Sequence, residues 1–159
     1  MKYKVNSLFN QAMKTPWLKS LLKLITPLPQ HLLVGRRGEQ YAKKHLSDLG
    51  MKYLTSNYSS EFGEIDLVFR DGEVLVFVEV KTRTQPTEDE LLMRPAGAVT
   101  QKKRNSIRAT IQCYLRNIKP LRPVWRVDIV EVILDAKKSP LKITHMQGVS
   151  MRKWESPSR

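Results

Sequence analysis

At 159 residues the chain is sized for one domain with room for terminal appendages. An apolar share of 41% excludes global disorder, and no apolar run approaches the roughly 20 residues of a membrane span, so no integral membrane segment is expected. The 28 Lys and Arg against 15 Asp and Glu leave a formal charge of +13, which points to a polyanionic partner, with nucleic acid ahead of a surface that is basic only for solubility.

Cys113 is the one cysteine, so an internal disulfide and a thiolate zinc cluster are both excluded, and a reducing, cytoplasmic setting fits. His31, His45 and His145 are scattered without a metal-binding spacing and read as structural or exposed.

In chain order, residues 1–34 read as a basic amphipathic extension. Leu18, Leu21, Leu22 and Ile25 recur at helical spacing with Lys19 and Lys23 between them, and Pro27 and Pro29 stop the pattern. Such a helix can lie on an anionic membrane face; the plainer alternative is that it covers the domain's own core. Residues 35–149 form the domain and residues 150–159 a loose polar tail. A helix is expected from Arg36 to Gly50, with Ala42, Leu46 and Leu49 on its apolar side. A strand follows from Met51 to Asn57. Gly63–Arg70 and Glu73–Lys81 then form a hairpin around Asp71-Gly72. A long helix from Ala98 to Ile118 aligns Ile107, Ile111, Tyr114, Leu115 and Ile118. Lys102, Lys103 and Arg104 in its first turns are candidates for nucleic-acid contact. Strands Val124–Leu134 and Leu141–Gln147 close the domain.

The hairpin carries the chemistry. Its turn sets Glu64 opposite Glu79 and Asp66 opposite Phe77. One face is then wholly apolar, with Ile65, Leu67, Phe69, Val74, Val76, Val78 and Val80. The other turns acidic, with Glu64, Asp66 and Glu79, and ends in Lys81. Charges in such surroundings are costly unless paired or bound to a metal. Asp66 and Glu79, as diagonal neighbours, can share a hard cation, Mg2+ or Mn2+, with Lys81 beside them. That arrangement suits hydrolysis of a phosphodiester. An edge-strand charge device accounts for any one of these residues, but poorly for four on one face.

The spacing from Asp66 to Glu79-Val80-Lys81 resembles the signature of the restriction-endonuclease-like, PD-(D/E)XK nucleases. "GRRGEQYAKKHL", "GEIDLVF", "VFVEVKTR", "AVTQKK" and "WRVDIV" extend the likeness to the YraN-like bacterial family, related in fold to archaeal Holliday junction resolvases. The resemblance spans Gly35 to Gln147. It implies an α/β fold, a mixed sheet flanked by helices, with the metal site on the central hairpin. It also implies Asp66 and Glu79 as metal ligands, Lys81 as the catalytic lysine and Glu39 as a further acidic ligand. Glu64 would assist; Arg126 and Asp128 would assist or equally form a structural pair with each other or with neighbours; Lys103 would suit a phosphate or stand on a solvated helix face. A metal-dependent DNA endonuclease, selective for branched or junction DNA, follows as the expectation, with a homodimer by analogy. The alternative is a nucleic-acid-binding protein that keeps the fold with little or no turnover of its own. Two departures limit what carries over: "ELLMRPAG" stands where the family often has a Gly-containing aromatic loop, and the extension to Val34 is longer than expected.

Overall fold

The computed structural model describes residues 29–85, 100–118 and 123–151. The expected amphipathic helix at Trp17–Ile25, most of the loop before the second helix and the tail beyond Met151 lie outside these residues. The chain divides into two units, Met1–Leu33 and Val34–Arg159, and the second holds the sheet.

The described residues form a mixed α/β structure: α1 (Gln30–Asp48), β1 (Lys52–Ser60), β2 (Gly63–Asp71), β3 (Val74–Thr84), α2 (Gln101–Asn117), β4 (Trp125–Leu134) and β5 (Pro140–Met146). The five strands lie in sequence order in one sheet. All neighbours are antiparallel except β3 and β4, whose parallel pairing runs from Leu75↔Trp125 to Thr84↔Leu134. A parallel pair needs a crossover connection, and α2 supplies its helix.

Helix α1 starts six residues earlier than the Arg36 expected from its apolar pattern. Pro29 lies just outside it, and its carbonyl accepts from the N–H groups of Leu32 and Leu33. A proline is tolerated there because the first helical N–H groups lack intrahelical partners anyway. The helix ends at Asp48, and Gly50 follows at φ 89°, a conformation that glycine adopts without steric cost.

Alternation along the strands sorts the core into two clusters. Leu67, Phe69, Val76, Val78, Val130 and Val132 pack on one side with Ala42 and Leu46 of α1. Val68, Leu75, Phe77, Val127 and Ile129 pack with Ile107 and Ile111 of α2. The helices therefore cover opposite faces of the sheet. Ile65 departs from the expected pattern: it is 2% exposed and joins the α2 cluster rather than that of Leu67 and Phe69. Strict alternation thus breaks at Asp66, between Ile65 and Leu67.

The hairpin turn also differs by one residue. Asp71 pairs with Val74, so the turn is Gly72–Glu73, with Gly72 at φ 55° supplying the positive angle such a loop requires. Moving the turn by one position moves the register by two, which leaves the side chains of the paired stretch, Leu67–Asp71 and Val74–Val78, on their expected faces. The pairing runs down to Leu67↔Val78, one step short of Asp66 and Glu79. The ladder therefore opens just before Asp66 and Glu79, and the two carboxylates are near enough for the Glu79 charge to act on Asp66.

Candidate metal centre

Asp66 lies at the point where the β2–β3 ladder ends, and its Oδ2 accepts the backbone N–H of Val80 at 2.7 Å. That bond fixes the carboxyl beside β3, next to Glu79. The Glu79 side chain is 5% exposed, projecting from the middle of β3 toward α2. A carboxylate that deep requires counter-charge. Lys81, two residues on and on the same face, donates to Glu79 Oε1 at 2.7 Å. Lys103 of α2 brings its Nζ to 2.9 Å from Oε2. That approach is off the direction of a hydrogen bond, so Oε2 has a charge partner but no hydrogen-bond partner.

The approach of α2 that delivers Lys103 is set locally. Thr100 caps the helix, its side chain accepting from the backbone N–H of Lys103 at 3.3 Å. Ile107 and Ile111 then seat the helix on the sheet. Lys103, a candidate phosphate contact from the sequence, faces a site carboxylate in the ligand-free protein. Lys102 is exposed, and Arg104 donates to the carbonyl of Ser150.

Burial and the negative charge of Glu79 push the Asp66 carboxyl up from 3.8 to about 7; the Val80 N–H and Lys103 act against that rise, and Glu39 adds to it. Glu39, on α1, is itself raised by burial and by Glu64, with Arg36 opposing. Four elements thus bring Glu39, Glu64, Asp66, Glu79, Lys81 and Lys103 into one electrostatic group. Among the described residues no three or more His, Cys, Asp or Glu side chains converge closely enough to form a ligand cage. Magnesium is commonly held by one or two carboxylates, with water and substrate oxygens completing its shell. The donor set here, carboxylate oxygens from Asp66 and Glu79, fits a hard cation in kind. The mutual repulsion that raises Asp66 is what a cation between the pair would relieve.

Arg126 and Asp128 do not join this group. Asp128 is fully buried and accepts from Arg126 Nε at 3.0 Å and from the backbone N–H of Gly148 at 2.9 Å, with His145 Nε2 2.9 Å from its other oxygen. Arg126 Nη1 reaches on to Asp71 at 2.9 Å. Together they clasp β4 to β5 and to the hairpin turn. His145, which the sequence offered only as structural or exposed, is part of this clasp. The buried Glu131 was not singled out either; it lies opposite Lys81 in the β3–β4 register and engages Arg83 Nε at 3.2 Å. Its position in an apolar run beside a basic strand end was the available signal.

A family model described as uncharacterised protein family UPF0102 matches residues 38–132, which include every member of the electrostatic group. A UPF0102 protein of Alkalilimnicola ehrlichii is 42% identical over 104 residues, covering 65% of this chain and 79% of the relative. Another, from Alkaliphilus oremlandii, is 38% identical over 117 residues, 72% of this chain and 95% of the relative. A third, from Streptomyces griseus subsp. griseus, is 36% identical over 118 residues, 74% of this chain and 95% of the relative.

Proposed function

The chain belongs to the uncharacterised UPF0102 family, and we propose that it is a magnesium- or manganese-dependent DNA endonuclease of the restriction-endonuclease-like type, acting on branched or junction DNA. One observation carries this reading: half-buried Asp66 and buried Glu79 repel one another where the β2–β3 ladder opens, and Glu79 is flanked by Lys81 and Lys103. A carboxyl pushed to about 7 by burial and, after that, by a neighbouring carboxylate belongs to an arrangement poised to take up a divalent cation.

Asp66 and Glu79 would hold the cation, with Glu39 near enough to bias it electrostatically. Bound there, the cation would supply charge to polarise a phosphate and acidify a water molecule. The chain's own residues do the rest. Lys81, 38% exposed at its side chain, can keep Glu79 oriented and still present N–H groups to a phosphate oxygen. Lys103 reaches the same carboxylate from the other side, so two ammonium groups border the place where negative charge would develop. The net charge of +13 favours a polyanionic partner. The same reading includes a cytoplasmic location and a two-fold homodimer by analogy with junction resolvases. Among the described residues no helix is long and apolar enough to cross a membrane.

One specific observation favours the second reading, a DNA-binding protein with little turnover of its own. Both Glu79 oxygens already face lysines, so the charge of Glu79 has partners without a metal. The test is a panel of duplex, single-stranded, flap and four-way-junction DNA incubated with magnesium, manganese or EDTA, with Asp66→Ala protein alongside. Metal-dependent cutting lost in the variant is the expected result. Binding without cutting by either protein would favour the second reading.

A further inference from the structure

Alternation along β3 continues the face of Glu79 to the end of the strand. Thr82 meets Gly38 of α1, so Lys81 and Arg83 point to the other side, with Glu79. The strand registers set Lys81 level with Glu131 and Thr144, and Arg83 level with Ile133 and Lys142. Arg83 and Lys142 thus flank Ile133 in one row, two residues beyond the row of Lys81. We propose that Arg83, positioned by the buried Glu131, and Lys142 together bind one backbone phosphate of a nucleic-acid strand that runs on to the Asp66–Glu79 pair. This inference rests on the reading that the partner is DNA, and it adds a phosphate-binding site beyond the carboxylates.

Three features lead there. The first is a preorganised guanidinium. Glu131 is 5% exposed, and a carboxylate so deep is costly unless paired. Its partner is Arg83, whose Nε, the nitrogen nearest the chain, lies 3.2 Å away. The Arg83 side chain is itself 27% exposed, and among the described residues its Nη groups make no hydrogen bond. The fork is held at its base and open at its tip, the geometry that suits a phosphate. The second is the layering of charge. On this face the carboxylates of Glu79 and Glu131 are buried, while Lys81, Arg83 and Lys142 reach solvent. An arriving partner therefore meets the cations first, which favours an anion.

The third is position. Arg83 is two residues past Lys81 and four past Glu79, roughly 7 and 13 Å at the rise of a strand. A nucleic-acid strand with one phosphate at the carboxylates covers that distance in a few nucleotides. Lys142 is two strand spacings from Arg83, roughly 10 Å between backbones, so two long side chains can converge on one phosphate above Ile133. Such a contact fixes the register of the strand at the carboxylates without reading its sequence. Glu131 acts through Arg83 and is a positioning residue.

The test measures binding of a short fluorescent single-stranded oligonucleotide by the full chain in EDTA, across a range of salt, so that it does not depend on metal or cleavage. Arg83→Gln combined with Glu131→Gln replaces the ion pair by two neutral amides and leaves the net charge unchanged. That double variant should bind about tenfold more weakly, whereas a pair that is only structural predicts no change. Lys142→Gln, at an exposed position where folding is not at stake, should weaken binding about fivefold. Arg70→Gln removes an equal charge from the exposed far end of β2 and should change binding less than about twofold. With all three of Arg83, Glu131 and Lys142 replaced by Gln, the salt slope should become shallower by about 0.7, one phosphate contact on a single strand. Wild-type affinity in the double variant, or equal losses in Lys142→Gln and Arg70→Gln, would overturn the proposal. Metal-dependent cleavage by the wild type alongside those results would leave the endonuclease reading intact. The expected losses in a protein that cuts nothing with either metal would support the phosphate site and remove the endonuclease reading.

Discussion

Asp66 bears opposing demands. Its Oδ2 is needed to hold Val80 N–H, while burial and Glu79 make its charge unfavourable. The folded carboxyl, at about 7, binds a proton more tightly than the open chain does at 3.8. Proton binding therefore favours folding in full below about pH 4, and this contribution is lost as pH rises through 7. A shift of that size corresponds to up to about 4 kcal/mol. Asp66→Asn keeps an acceptor for Val80 and removes the charge. In metal-free buffer the variant should be more stable than wild type at pH 8, by about 1–4 kcal/mol, with the difference shrinking toward pH 4. Urea unfolding at the two pH values checks this. A variant less stable at pH 8 would mean that the Asp66 charge is compensated in the metal-free protein. Asp128 is the contrasting residue, buried but satisfied by Arg126, His145 and Gly148. Asp128→Ala should cost about 3–5 kcal/mol, since it leaves Arg126 and the Gly148 N–H without their acceptor. The loss should appear in the urea midpoint.

At the scale of elements, the site depends on α1 and α2 meeting the sheet closely. Gly38 faces β3 so tightly that a Cβ there would lie 1.7 Å from Thr82 Oγ1. Gly38→Ala should therefore displace α1 and cost about 1–3 kcal/mol, with Thr82→Ser in the same chain recovering little because the clashing oxygen remains. Thr82→Ala combined with Gly38→Ala should recover more; thermal melts of the three variants decide. Much of this architecture is legible in the sequence. The helical spacing of Ile107, Ile111 and Tyr114 and the alternation around Val76 and Val78 are local patterns, and each matches the two-sided core. The shared face of Glu79 and Lys81, two apart on β3, was readable for the same reason, and Lys81 donates to Glu79 there. Other features depended on contacts that no local pattern records. The turn at Gly72–Glu73 rather than Asp71-Gly72 is a choice between adjacent glycine-containing pairs. Ile65 leaves its expected face because the ladder opens at Asp66, where a side chain takes over a backbone acceptor's role. The engagement of Lys103 with Glu79 joins residues on different elements, and only the packed helix brings them together.

For the whole molecule, the charge of +13 is the dominant long-range feature, and its effect on binding is separable from chemistry. Association with DNA should weaken steeply with salt, log K falling linearly with log salt concentration, in wild-type and Asp66→Ala protein alike. A flat dependence, measured by anisotropy in EDTA, would remove counterion release from the account of binding. A steep dependence would mean that bound strands are held largely by the protein's positive charge.

The most direct measurement is a calorimetric titration of Mn2+ into the metal-free protein at pH 6 and pH 8, with Asp66→Asn and Glu79→Gln in parallel. If Asp66 and Glu79 form a cation site, wild type binds Mn2+ more tightly at pH 8, where Asp66 has lost its proton, and releases protons on binding near pH 7. Each variant should weaken binding about tenfold or more. Equal Mn2+ affinity in wild type and both variants would contradict the assignment of this pair as the metal centre.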